Sequence, residues 1–380
     1  MIYKRISELT TVVTGGTPST EKSQYWENGD IPWLQSGCCQ NCSVYSSEKY
    51  ITKDGYDNSS AKMMPPDTIM IALTGATAGK VGHLKFNACG NQSITGILPC
   101  DELYPKYLFY FLLSKRSKIL SDCIGGAQPH ISQGYVKNIS VPILSIDEQK
   151  YVAGILSKID DLLSAKQQQL SKLDELVKSR FVELFGDPVT NSKNLPELTL
   201  PELGDFGRGV SKHRPRNAPE LLGGIYPLIQ TGEVANSELY MTSYENTYSE
   251  LGLKQSKMWQ VGTLCITIAA NIAKTAILTF DACFPDSVVG FKANDKTNNI
   301  FIHYWFLFFQ EILEAQAPES AQKNINLKIL SELKIIVPPI EQQNEFATFV
   351  EQTYKSKLAV QQSLEQLETL KKSLMQQYFG

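Results

Sequence analysis

Two stretches of the chain carry apolar residues at alternating steps of three and four. In the first, Leu156, Ile159, Leu163, Lys166, Leu170, Leu173 and Val177 fall on one line. In the second the line runs Phe346, Val350, Thr353, Lys357, Val360, Leu364, Leu367, Lys371, Leu374 and Tyr378. Such spacing places every member on one helical face, and a 3.5-residue repeat predicts a seam against a partner helix. Thirty-odd residues in each would span about 45 to 50 Å at the usual rise. A Val-Pro turn precedes each ladder, at Val141-Pro142 and Val337-Pro338, and Glu148-Gln149 and Glu341-Gln342 stand where first-turn acids suit unpaired amides.

The regions ahead of the ladders have a different texture. Short β-favouring runs occur at residues 68–73, 81–86, 265–268 and 276–280, broken by Gly, Asn and Pro. Apolar spacing predicts buried helices over residues 103–120 and 300–315. The apolar run from Phe301 to Phe309 is short and carries His303, which makes it a core helix. Together these predict an α+β fold: two mixed regions separated by two long helices that pair as an antiparallel coiled coil. The predicted boundaries are 1–142 and 184–338 for the mixed regions, 143–183 and 339–380 for the helices.

The two halves are also copies of each other. Ile31-Pro-Trp-Leu-Gln-Ser-Gly37 returns as Tyr226-Pro-Leu-Ile-Gln-Thr-Gly232. Asn87-Ala-Cys-Gly-Asn-Gln-Ser-Ile-Thr-Gly96 returns as Asp281-Ala-Cys-Phe-Pro-Asp-Ser-Val-Val-Gly290, an offset of 194. Asp67 to Leu73 ahead of Gly75 to Lys80 answers Gly262 to Ile268 ahead of Ala269 to Lys274, and Ala127-Gln-Pro-His-Ile131 answers Ala321-Gln-Lys-Asn-Ile325. Val141-Pro-Ile-Leu-Ser-Ile-Asp-Glu-Gln149 answers Val337-Pro-Pro-Ile-Glu-Gln342. Blocks kept in order at one offset mark duplicated structural units.

Net charge alone, at −3, argues against a nucleic-acid binder, yet Arg208, Lys212, Arg214 and Arg216 sit in a run without one acid. Such a loop can grip a phosphate backbone while acidic surface elsewhere meets protein. Eight cysteines in 380 residues are too sparse for a disulfide scaffold, and with no apolar leader or 18-residue apolar span the expected setting is the cytoplasm, off the membrane. Cys39 and Cys42 form a C-x2-C pair beside Cys38, but no second half at zinc spacing follows, so no metal site is expected.

No catalytic constellation emerges. Thr74-Gly-Ala-Thr-Ala-Gly-Lys80 lacks the leading glycine and the hydroxyl after the lysine that a phosphate loop needs, and it reads as a turn after a strand. The four histidines are scattered, and Pro285-Asp286 lacks the second acid of a nuclease metal site. No catalytic residue and no cofactor is expected in this chain.

With the repeat, the two ladders, Thr14-Gly-Gly-Thr-Pro-Ser19, Ile31-Pro-Trp33, the Gly75 to Lys80 turn and Val141-Pro142 in this order, the chain resembles the specificity subunit of type I restriction-modification systems. The resemblance covers essentially the whole chain. It implies two target-recognition domains that read the two halves of a double-stranded DNA site, assembly with two modification subunits, and recruitment of restriction subunits. S-adenosylmethionine would then belong to the adenine-methylating modification partners, ATP and magnesium to the restriction partners. The helices would fix the spacer between the half-sites. The competing expectation is a coiled-coil protein scaffold with no DNA selectivity.

DNA contacts are expected from Thr17, Ser19, Lys22, Gln35, Thr74, Lys80, Gln128 and Gln133 in the first half. In the second they are expected from Arg208, Lys212, Arg214, Arg216, Gln230, Asn271, Lys274, Gln322 and Lys323. Arg and Lys suit phosphate or guanine, whereas Gln and Asn can pair bidentately with adenine. The basic run has no counterpart in the first half, which fits unequal half-sites.

Overall fold

The computed structural model describes residues 2–122, 130–269, 272–316 and 325–380. The chain divides into two units. One comprises residues 1–167 with 362–380, the other 168–361, so both divisions fall inside the long helices.

In the first unit a five-stranded sheet runs in the order Val12–Thr14, Ile94–Ile97, Ile69–Ala72, Val81–Leu84, Cys42–Val44. The second unit repeats it as Gly204–Arg208, Val288–Ala293, Leu264–Thr267, Thr275–Leu278, Tyr240–Met241. In both, the last strand is parallel to its neighbour and the other pairs are antiparallel. A smaller sheet also recurs, Lys49–Ile51, Ile31–Leu34, Cys89–Gly90 against Asn246–Tyr248, Leu222–Leu228, Ala282–Cys283, the latter extended by Met258–Trp259. The sequence repeat is therefore a repeat of topology.

These central strands read as unbroken apolar runs because both their faces are covered. Ile69 and Ile71 join a core with Tyr107, Leu108, Phe111 and Leu112 of the helix Pro105–Ser114, while Met70 and Ala72 join a second core with Leu34, Val44 and Leu84. The second unit divides the same way, with Leu264 and Ile266 packed with Trp305 and Phe306 of the helix Asn299–Gln316, and Cys265 packed with Trp259 and Phe284. The predicted helix over 103–120 is broken after Ser114 and resumes as Arg116–Ser121.

The glycine that closes each repeated Ala-Cys block has a steric cause. A β-carbon on Gly96 would stand 2.4 Å from the Met64 sulfur, and one on Gly290 would stand 2.6 Å from the Trp259 ring. Each glycine makes room for a large side chain laid across the sheet.

The long helices, Ile146–Phe185 and Ile340–Phe379, have 40 residues each and extend beyond the ladders themselves. Each begins ahead of its ladder because a buried glutamine anchors the first turn. Gln149 accepts from the Tyr104 amide (2.8 Å) and donates to the Glu102 and Leu144 carbonyls (3.0 and 2.9 Å). Gln343 accepts from Thr297 Oγ1 and the Asn298 amide (2.8 and 3.3 Å) and donates to the Lys296 and Pro338 carbonyls (3.0 and 2.8 Å). The counterpart of Gln149 is thus Gln343, one residue beyond the Gln342 that sequence matching paired with it.

Within the second unit Asp174 meets Lys357 at 2.6 Å and Arg180 meets Glu345 at 2.8 Å, so these helix segments run antiparallel. Val177, Phe346 and Val350 are buried in its core, and Val360 is buried as well. Within the first unit Leu156 lies in a core with Phe379 and Leu374, and Asp160 meets Lys371 at 2.5 Å. Ile159 is buried, and Leu163, Leu170, Leu173, Leu364, Leu367 and Leu374 are half-buried. The lysines that interrupt the second ladder are answered by acids: Lys357 contacts both Asp174 and Glu238 at 2.6 Å, and these carboxylates hold its ammonium pKa up against burial.

Candidate nucleic-acid interface

In the first unit the chain leaves the strand Val12–Thr14 through Gly15-Gly16, whose amides donate to the Ile94 and Gly90 carbonyls at 3.2 and 2.8 Å. The Trp33 indole donates to the Gly16 carbonyl at 2.9 Å, pinning the loop against the small sheet. Thr17 and Ser19 follow on the exposed part, with Thr17 Oγ1 donating to Gln92 Oε1 at 2.5 Å and the Trp26 indole donating to the Ser19 carbonyl at 3.0 Å. Lys22 donates to the Tyr25 hydroxyl at 3.1 Å.

Gln35 stands exposed where the strand Ile31–Leu34 ends. It lines a hollow of about 320 Å³ with Trp33, Cys38, Ser47, Glu48 and Lys49. Lys80 reaches the same loop indirectly, donating to Gln40 Oε1 at 2.6 Å, while Gln40 donates to the Gly37 carbonyl at 2.8 Å. A hydrogen bond from the Cys39 thiol holds the Cys38 thiol below its ordinary pKa, despite burial. Thr74 and Gln133 serve the backbone: Thr74 bridges to His130, and Gln133 Nε2 donates to the Val12 carbonyl at 3.1 Å.

The second unit builds the corresponding loop from Gly209 onward, where the Gly209 amide donates to the Val288 carbonyl at 2.8 Å. Arg208 and Lys212 are exposed, and the Lys212 and His213 amides both donate to Gln255 Oε1, at 2.7 and 3.1 Å. Arg214 donates to the Ser211 and His213 carbonyls at 2.6 and 2.8 Å. Arg216 and Arg214 approach Asp286 at 2.5 and 3.8 Å. The run without an acid in sequence therefore meets two in space, Asp286 at its arginines and Glu220 at 3.7 Å from His213. Arg216, Gln230, Ser211, Asn246 and Ser287 line a hollow of about 320 Å³. Leu228, Gln230 and Asn246 in its wall answer Trp33, Gln35 and Lys49 of the first hollow by strand register, whereas the exposed loop lines the hollow in the second unit only.

Lys274 is not brought to that group. It donates to Gln310 at 3.1 Å and lines a different hollow, of about 280 Å³, with Asp174, Glu238, His303 and Lys357. Gln128, Asn271, Gln322 and Lys323 lie outside the described residues. Sequence reasoning missed Gln92 and Asp286, which sit at the 194-residue offset of the repeat and each hold the exposed loop of their own unit. It also missed Lys49 and Asn246, strand residues in the walls of the two hollows. Among the described residues no group of three or more His, Cys, Asp or Glu side chains is placed to hold a metal ion, and no helix is long and apolar enough to cross a membrane.

The family model for the type I restriction modification DNA specificity domain matches residues 2–175 and again 198–369. The EcoR124I/EcoR124II specificity subunit of Escherichia coli is 30% identical over 184 residues, covering 47% of this chain and 46% of that one. The MjaIX specificity subunit of Methanocaldococcus jannaschii is 32% identical over 189 residues, covering 48% and 43%. The chain thus spans less than half the length of these two relatives in the matched stretches. The MjaVIII specificity subunit of the same archaeon is 24% identical over 406 residues, covering 98% of this chain and 90% of that one. Among solved structures, the S subunit of the type I system from M. genitalium has a TM-score of 0.60 at 17% identity, covering 100% of this chain and 96% of that one, a likeness of fold. With a family match in each half, this chain belongs to the type I restriction-modification DNA specificity family.

Proposed function

We propose that the chain reads a bipartite double-stranded DNA site and joins modification and restriction subunits, one half-site being read by each unit. The observation that carries this reading is the paired construction: two units of one topology each present an exposed loop and a hollow with a glutamine in its wall, surrounded by different polar side chains. A scaffold has no need of that, whereas two unequal half-sites do.

In this reading Thr17, Ser19, Lys22 and Gln35 face DNA from the first unit, and Arg208, Lys212, Arg216 and Gln230 from the second. Arg208 and Lys212 are suited to phosphates, and Gln35 and Gln230 to adenine edges. The target-recognition domains are taken as 1–142 and 184–338, and the complex as cytoplasmic with two modification subunits. The chain performs no reaction itself. Methyl transfer from S-adenosylmethionine, and ATP- and magnesium-dependent cleavage, belong to the partners.

The test is competition binding by the purified chain with its modification subunits, at about 50 and 200 mM salt. A fragment selected from random duplexes is expected to outlast random DNA by roughly a thousandfold or more, with both affinities falling as salt rises. Equal competition by random DNA at both salts would leave the scaffold reading in its place.

A further inference from the structure

In the second unit the acid nearest the exposed basic loop is Asp286, and its position is unusual for a DNA-facing surface. Its carboxylate contacts Arg216 at 2.5 Å and lies 3.8 Å from Arg214, beside the hollow that Arg216 shares with Gln230. A negative charge there subtracts from phosphate attraction, which depends on how many cations the DNA meets. What it supplies is direction. A guanidinium has five donors in a rigid fork, and holding its Nη2 against a carboxylate restricts the orientation of the remaining donors.

In the first unit the matching position also contacts its exposed loop, without charge. Gln92 is offset from Asp286 by 194 residues, and its side chain holds Thr17 of the corresponding loop at 2.5 Å. One location after the Ala-Cys pair thus clasps the exposed loop in both units: by a neutral hydrogen bond in one, by an ion pair in the other.

We propose that Asp286 is a positioning residue that orients Arg216 to read a guanine edge in the half-site of the second unit. The proposal rests on the DNA-reading function above. Arg216 supplies the bidentate donors to guanine O6 and N7, the pairing its fork geometry fits. Asp286 gives up sequence-independent affinity in exchange for selectivity.

The two effects have opposite signs, which makes them separable. The experiment uses the chain assembled with its modification subunits, the duplex selected by that complex, and random duplex. Asp286→Asn removes one negative charge, so binding to random duplex is expected to tighten a few-fold at low salt. Discrimination against substitution of one G·C pair in one half-site is expected to drop roughly tenfold, with the other half-site unaffected. Arg216→Lys keeps the charge and loses the fork; it is expected to lose discrimination at the same base pair without the tightening on random duplex that Asp286→Asn gives.

Equal weakening on selected and random DNA by both variants would reduce the clasp to loop stability and overturn the proposal. So would unchanged discrimination at every base pair. If the unsubstituted complex selected no sequence at all, the DNA-reading function itself would fall, an outcome distinct from either.

Discussion

His303 shows how burial at a single residue sets a pH response. It is 3% exposed in the core under the second five-stranded sheet, with Thr275 Oγ1 2.9 Å from its Nδ1. Burial is the main cause that pushes its pKa down from 6.5 to about 4. The folded state thus holds it neutral, whereas the unfolded chain takes up a proton below pH 6.5. Its contribution is intact above about pH 6.5, falls as pH drops toward 4, and levels off below that, with a total of about 3 kcal/mol. His303→Asn keeps a partner for Thr275 and cannot titrate in this range. Denaturant unfolding at several pH values should show the wild-type advantage over the variant shrinking from pH 7 to 4.5; parallel curves would contradict the assignment. The sequence showed His303 within an apolar run and so announced its burial. It did not show Thr275, because that pairing joins a strand to a helix 28 residues further on. The acid facing Arg216 was hidden for the same reason, lying 70 residues away.

At the scale of elements, the ladders of the long helices were legible because 3.5-residue spacing needs no knowledge of the partner. Where each helix starts was less so. Gln343 is fully buried while Gln342 is exposed, yet the repeat pairs Gln149 with Gln342 when read from residue types alone. The turn has the same length in both units, since Gln149 and Gln343 donate to Leu144 and Pro338, each five residues back. The strand register sets Val141 against Ile335 and not Val337, so matching the Val-Pro pairs displaced the repeat, and only the four hydrogen bonds of Gln343 identify the anchor. Gln343→Leu should destabilise the second unit by about 3 kcal/mol, because buried carbonyls and an amide lose their partner. Gln342→Ala, at an exposed site, should change stability by less than about 0.5 kcal/mol. Unfolding midpoints for the two variants check this, and similar losses in both would show that the anchor has been misplaced. The two strands at the heart of each five-stranded sheet, Ile69–Ala72 with Val81–Leu84 and Leu264–Thr267 with Thr275–Leu278, were legible as apolar runs, but neither their neighbours nor the strand order were, since the parallel edge strands are too short to carry a pattern of their own.

At the scale of the whole chain, duplication was the most legible feature and the structure gives it physical form. Each unit has its own core, its own copy of the five-stranded sheet, and its own hollow with a glutamine at the rim. What the sequence left dark is which polar residues share a hollow, since Arg216, Gln230, Asn246 and Ser287 come from four separate segments. If each unit reads one half-site on its own, damage to one rim should leave the other half of the target untouched. The direct measurement is selection of bound duplexes from a fully randomised pool by the assembled complex, carried out in parallel with the unsubstituted chain, Gln35→Ala and Gln230→Ala. Two short blocks of defined sequence separated by a run of fixed length and free composition are expected, with Gln35→Ala relaxing one block only and Gln230→Ala the other only. A single undivided block, or two blocks relaxed together by either substitution, would contradict independent reading by the two units.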